Sequence, residues 1–359
     1  MAGFCSGDRL ASARKHPREV DSGGGTGGFR FGEGAIVSYR LEGGMTARST
    51  PHLMENLPRM TLAIAWVRNV SHTTELIIAA DSRLRSIGHW DGCPKMFALG
   101  RSDAAFCFAG NTMHAYPMML QAKSAVEMFP KARTRGLDLC DLKGHIVRVM
   151  NGMRAGSQMQ LADSEWAPDT AFLLGGFSWK FSDFRLWTIY YDPRIKRFTY
   201  RPASRWRKSG SKRIHFVGDD LFLDPLARAR IQILRLCYQR TGRVEPVYFH
   251  VIEEARARLE RLLRHRGKIA RGGFDMEPFE VLRDMIRSGH WPTLGGPPQI
   301  LKVYRHMNCQ PFGVYWPNRA AKAVAVLGRV LLEDEAPDCP VLDPDTLKVD
   351  RGPWRKSSG

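Results

Sequence analysis

Four residues of this sequence have both the type and the placement for chemistry. Thr61 opens the first of four short apolar runs, Asp81 closes the second, Lys95 opens the third and Gly110 ends the fourth. They supply a hydroxyl, a carboxylate, an ammonium and a flexible strand end. Adjacent antiparallel strands would bring these ends to one rim. A lysine at the end of a buried strand needs an anionic partner, because an unpaired charge is costly to remove from water. Asp81 is the obvious partner. A plain β-sandwich does not need this polar order. Each residue also has a simpler reading. Thr61 is β-favouring and suits a strand start. Asp81 and Lys95 suit a structural ion pair. Gly110 suits a close turn before Asn111-Thr112.

Other chemical signatures are missing. No G-x-x-x-x-G-K-[ST], H-E-x-x-H or G-x-S-x-G occurs. Gly23, Gly25 and Gly28 match G-x-G-x-x-G formally, with no strand before them and no helical pattern after. Asn69-Val-Ser71 is a glycosylation triplet without a secretory signal beside it. The 7 cysteines are scattered and form no C-x-x-C, which argues against a zinc site or a disulfide framework and for a reducing compartment. His145 and His250 read as surface or packed helix residues. We therefore expect no metal and no cofactor, and a cytoplasmic protein.

Composition bounds the rest. With 43% apolar residues in 359, the chain can bury a substantial core and is neither collagen-like nor wholly disordered. The longest apolar run, Met60–Val67, is far short of the roughly 20 residues that cross a membrane. The net charge of +18 raises the expectation of an acidic partner, nucleic acid included. The positive charge is concentrated in Arg194–Arg213, which has no acid, and in Arg256–Arg271, whose one acid is Glu260. The first segment carries Tyr200 and Trp206 among its cations, the one feature that would suit nucleic-acid contact. Solvated faces and assembly surfaces are the commoner use of such runs.

The elements that must position the four residues follow from periodicity. Thr61–Val67, Glu75–Ala80, Lys95–Leu99 and Ala104–Ala109 read as an antiparallel meander of buried strands. Tyr116–Phe129 and Leu139–Met153 carry apolar stripes at helical spacing. Strands are expected again at Thr170–Phe177, Phe184–Tyr191, Phe198–Tyr200 and Ile214–Gly218. Helices follow at Pro225–Tyr238, Tyr248–Arg266 and Phe279–Arg287, then a strand pair at Gln299–Tyr304 and Pro311–Trp316. Runs of strands separated by runs of helices predict a layered α+β fold. Residues 1–60 show no sustained apolar period and read as a flexible extension. Residues 61–332 form the folded domain, enlarged by helices around 220–290, and residues 333–359 form a tail.

The ordered motifs resemble a known family. Met60-Thr-Leu-Ala-Ile-Ala-Trp-Val67, Leu76-Ile-Ile-Ala-Ala-Asp-Ser-Arg83, Cys93-Pro-Lys-Met-Phe-Ala-Leu99 and Ala104-Ala-Phe-Cys-Phe-Ala-Gly110 look like the opening of proteasome β-type subunits and of related bacterial members of the N-terminal-nucleophile (Ntn) hydrolase superfamily. The resemblance is strong over Thr61–Gly110 and weaker, but in the right order, over Tyr116–Gly218. It implies a four-layer αββα sandwich of two stacked antiparallel sheets flanked by helices. It implies Thr61 as nucleophile, with its own α-amine as base once Thr61 is the first residue. Lys95 would lower the pKa of that amine by like-charge repulsion, Asp81 would hold Lys95, and the Gly110 N–H would donate to the oxyanion.

The sequence also departs from the family. Where relatives carry R-D-x-x-S-G, Arg283-Asp284-Met-Ile-Arg-Ser288-Gly289 spaces the pair one residue wider, and Gly218-Asp219 stands where G-S-G is usual. Three routes would make Thr61 terminal or leave it internal: a self-cleaved propeptide, a true start at Met60 followed by removal of that Met, or a persistent extension on a scaffold. The second is favoured. The expected function is a proteasome-like threonine-type hydrolase of peptide or other amide bonds, assembled from like subunits, with an ATPase partner left open. The alternatives are an inactive structural or assembly subunit and a basic nucleic-acid-binding protein.

Overall fold

The apolar runs form strands, and their residues alternate by size rather than by polarity. A computed structural model describes residues 61–70, 73–85, 89–156, 170–202, 214–218, 251–269, 273–291 and 293–350. In chain order the strands are β1 (Leu62–Val70), β2 (Thr73–Ala80), β3 (Leu84–Arg85), β4 (His89–Trp90), β5 (Met96–Ala98), β6 (Ala104–Gly110), β7 (Thr170–Ser178), β8 (Asp183–Asp192), β9 (Arg197–Pro202), β10 (Ile214–Gly218), β11 (Gln299–Tyr304), β12 (Cys309–Tyr315), β13 (Val324–Val326), β14 (Arg329–Val330), β15 (Val341–Leu342) and β16 (Val349–Asp350). The described helices are α1 (Thr112–Met128), α2 (Pro130–Arg133), α3 (Leu139–Gly156), α4 (Val251–His265) and α5 (Glu277–Arg287). The expected helix at Pro225–Tyr238 and the extension 1–60 lie outside the described residues.

The fold is α+β, with two main sheets. The larger runs β10-β1-β2-β11-β12-β13-β14, with β15 and β16 attached through β12. The other runs β5-β6-β7-β8-β9. Among the described strand pairs only β12–β15 is parallel. The first four apolar runs are therefore not one meander. β1 and β2 pair in the larger sheet, while β5 and β6 pair in the smaller one. The small hairpin β3–β4 lies between them in the chain. Apolar runs report burial but not partners, and β2 takes its second neighbour, β11, from far along the chain.

Alternation by size explains why β1 is apolar on both faces. Its small residues Ala63 and Ala65 join Leu76, Ile78, Ala105, Cys107, Ala109 and Leu173 in a core drawn from both sheets. Its large residues Leu62, Ile64 and Trp66 pack with Leu259, Phe279 and Met285 of α4 and α5. On the smaller sheet Phe106, Phe108 and Phe172 pack with Met119, Val126 and Ile146 of α1 and α3. A strand covered on both sides needs no polar face.

Two details fix the elements near the rim. α1 begins at Thr112, four residues before the expected start, because the Asn111 side chain accepts from the Met113 N–H at 3.0 Å and caps it. In the Leu-Leu-Gly-Gly run of β7, Gly176 lets the chain before β6 approach. A Cβ there would stand 2.2 Å from the Asp103 carbonyl oxygen. The register sets Ala80 opposite both Ala63 and Gln299. Asp81, the next residue, thus leaves the sheet between the starts of β1 and β11.

Candidate functional site

The end of β2 delivers Asp81 into a fully buried place. Its backbone N–H donates to the Leu62 carbonyl at 3.3 Å. Its Oδ1 accepts from the Leu62 N–H at 3.3 Å and from Lys95 Nζ at 2.8 Å. Its Oδ2 accepts from the Arg83 N–H at 3.1 Å and the Gly295 N–H at 3.4 Å. Burial pushes the Asp81 carboxyl above the ordinary carboxylate range, against the pull of the Lys95 ammonium and of the donors around it.

Lys95 precedes β5 of the other sheet, and its side chain is wholly buried. Its Nζ lies 3.3 Å from Thr61 Oγ1 as well as 2.8 Å from Asp81. Three of the four residues singled out in the sequence therefore meet, across two sheets rather than along one. Thr61 stands just before β1 and retains 7% exposure. In the chain as it stands its nitrogen is an amide bonded to Met60.

Gly110 ends β6 opposite Thr170 with φ +110°, a conformation that glycine adopts without a Cβ penalty. It leads directly into the cap of α1. Asp284 and Ser288 are used locally. Asp284 pairs with Arg283 at 2.7 Å, and Ser288 Oγ donates to the Met285 carbonyl at 2.8 Å, closing the end of α5. Asp219 lies outside the described residues.

The structure adds residues that sequence reasoning did not single out. Gln299, fully buried at the start of β11, accepts from the Lys95 N–H at 2.9 Å. Its amide donates to the Asp81 carbonyl at 3.1 Å and the Cys93 carbonyl at 2.8 Å. No local signal marked it, since β11 also carries Lys302 and Tyr304. Gly295 reaches the Asp81 carboxylate, and the Gly295 carbonyl accepts from the Ser82 N–H at 3.0 Å. Ser82 Oγ, Thr293 Oγ1 and Trp291 Nε1 are buried without a hydrogen-bond partner among the described residues.

Two cysteines stand near Lys95. Burial raises the Cys93 thiol, and it pushes Cys107 up to about 12, Lys95 drawing against it in both. Neither is the thiolate that a cysteine nucleophile requires. The hydroxyl of Thr61 is the one that Lys95 Nζ reaches beside the ion pair. Among the described residues no group of three or more His, Cys, Asp or Glu is placed to hold a metal ion. The basic segment is described only to Pro202. There the Tyr200 ring faces Lys143 Nζ at 3.5 Å, so that face is already occupied by a cation. Trp206 lies outside the described residues, as does His250. No described helix is long and apolar enough to cross a membrane.

No family model matches this chain, and no curated protein matches it. Among solved structures it is similar to a Gly-1 mutant of Anbu from Hyphomicrobium sp. strain MC1. That likeness covers 69% of this chain and 84% of that one, at 12% identity and TM-score 0.42. It is also similar to Anbu from Pseudomonas aeruginosa, described as a helical assembly of the Anbu complex. There 77% of this chain and 88% of that one are covered, at 15% identity and TM-score 0.41. The placement among proteasome β-type subunits and Ntn hydrolases, read from four motifs, does not hold as membership. What is shown is a distant likeness to solved structures, Anbu among them. The physical reason is that those motifs are short strand ends around a buried ion pair, too little of the chain to fix descent.

Proposed function

We propose that this chain is a threonine-type amide hydrolase, with Thr61 as nucleophile once it is the first residue of the chain. One observation carries the reading: Lys95 Nζ stands 3.3 Å from Thr61 Oγ1 and 2.8 Å from Asp81 Oδ1 in a buried setting. With Thr61 terminal, its α-amine has an ordinary pKa near 7.7–8.0, and the ammonium of Lys95 beside it lowers that value toward neutrality. The amine takes the hydroxyl proton, directly or through water, as Oγ1 attacks the amide carbon. The Gly110 N–H donates to the oxyanion. The C–N bond breaks, the leaving amine takes the proton from the α-ammonium, and an ester is left on Thr61. Water, deprotonated by the same amine, hydrolyses that ester and releases the acid.

The finer expectations belong to this proposal. The three cores support a four-layer αββα arrangement. A reducing, cytoplasmic setting belongs to the same proposal, carried by the scattered spacing of the cysteines in the sequence. A peptide or other amide is the substrate class, and like subunits are the expected partners. The amide link to Met60 favours a second reading, an inactive scaffold, for any molecule in which that link persists.

The test is to express the full chain and the chain from Met60, sequence the N-termini, and assay amide hydrolysis. A terminal Thr61, and loss of about 10³-fold or more in Thr61→Ala, is the expected result. An intact Met60–Thr61 bond in active protein, or activity indifferent to the substitution, removes Thr61 from the mechanism.

A further inference from the structure

The geometry points to Gln299 as the positioning residue of this site: its amide ties the backbone of Lys95 to that of Asp81 across the two sheets, and thereby holds the Lys95 ammonium at Thr61. This role rests on the hydrolase reading for its use but not for its test. Gln299 lies 204 residues from Lys95 in sequence and is fully buried. Its carbonyl oxygen accepts from the Lys95 N–H, and its amide group donates to the carbonyls of Asp81 and Cys93. Three of its hydrogen bonds thus go to backbone on both sides of the ion pair, and none goes to Thr61. The side chain of Lys95 is long and has many rotamers. A fixed backbone origin narrows where its Nζ can reach. Asp81 alone fixes only the far end of the side chain. The Phe108 N–H holds the Lys95 carbonyl to β6 at 3.0 Å, and Gln299 ties the near end to Asp81.

The bond pattern separates this role from packing. An apolar residue of the same shape would fill the same volume, yet would leave one N–H and two carbonyls without partners. Gln299→Met is that change. Lys302 serves as the internal reference. It lies on the same strand, β11, is 5% exposed and pairs with Glu75 at 3.2 Å. General loosening of β11 or of the whole fold exposes Lys302 together with Lys95. Loss of the staple releases Lys95 alone.

The experiment is acylation of the folded full-length chain with a water-soluble amine reagent, with Lys95 and Lys302 read separately by mass spectrometry. In Gln299→Met, Lys95 labelling should rise at least about tenfold relative to Lys302, since even one lost buried hydrogen bond is worth that much in a local opening equilibrium and three are lost. A rise of both lysines in step, or of neither, overturns the proposal. Gln299→Glu keeps an oxygen for the Lys95 N–H and should release Lys95 less. Equal release overturns the importance of that bond. If the methionine variant does not fold, the same ratio is read in Gln299→Glu against the wild type. In the hydrolysis assay, Gln299→Met should lower kcat and leave KM nearly unchanged, because Gln299 acts through Lys95. Failure of the hydrolase reading shows in the activity of Thr61→Ala, and failure of the staple shows in the Lys95-to-Lys302 labelling ratio of Gln299→Met against the wild type, so the two are distinguishable.

Discussion

Lys95 and Asp81 illustrate how a buried ion pair is costly to keep and more costly to break. Both side chains are fully buried at 2.8 Å, and the carboxylate's remaining capacity is filled by backbone N–H groups. Removing Lys95 leaves Asp81 uncompensated, so Lys95→Met should lower stability by about 3–5 kcal/mol in urea unfolding, and activity should be lost with it. The double change Lys95→Met with Asp81→Leu should restore much of the stability and none of the activity. Restored activity would show that the pair is structural only. A second buried residue gives a pH signature. His215 bonds to Thr188, and its imidazole is pushed down to about 4 by burial, with Arg201 and Arg256 adding repulsion. The unfolded chain binds a proton near pH 6.5 that the folded chain refuses. Stability should therefore fall as pH drops from about 6.5 to about 4, by about 3 kcal/mol at most. His215→Gln should flatten that part of the profile, which unfolding midpoints measured across it will check.

At the scale of elements, the glycines of β7 show what a motif can mean. A Cβ on Gly176 would meet the Asp103 carbonyl oxygen at 2.2 Å and Ala104 Cα at 3.0 Å, both backbone. Gly176→Ala should therefore push β7 from the start of β6 and destabilise by about 1–3 kcal/mol, read as a lower midpoint in urea. The run was legible in the sequence as a strand, but this close approach was not. The same division holds elsewhere. Thr61, Asp81 and Lys95 were legible because polar residues at the ends of buried runs need partners. The strands were legible because their burial leaves long apolar stretches. Sheet membership was not legible, because Leu76 and Ile78 would look the same beside β5 as beside β11. The apolar stripe placed the expected start of α1 at Tyr116, whereas the Asn111 cap sets it at Thr112. Gln299 escaped notice because its partners lie in distant segments, and nothing local marks an amide as a bridge.

For the whole molecule, charge separates the competing partners by the sign of their salt response. With a net charge of +18, copies of this chain repel one another at long range. If like subunits assemble, raising salt should screen that repulsion and strengthen association in light scattering. A polyanion would behave oppositely, its binding weakening steeply as salt displaces it from the cations. Association that weakens with salt would favour contacts between opposite charges instead. The arrangement of the two sheets has a further consequence for synthesis. β11 enters the larger sheet beside β2, yet it is made long after the segments that hold Thr61, Asp81 and Lys95. A ribosome that has not passed codon 299 has therefore produced the Thr61 hydroxyl without the strand that completes its surroundings. On the hydrolase reading, the nascent chain stays chemically quiet until β11 has been made, so a product truncated before that strand carries Thr61, Asp81 and Lys95 without the assembled site.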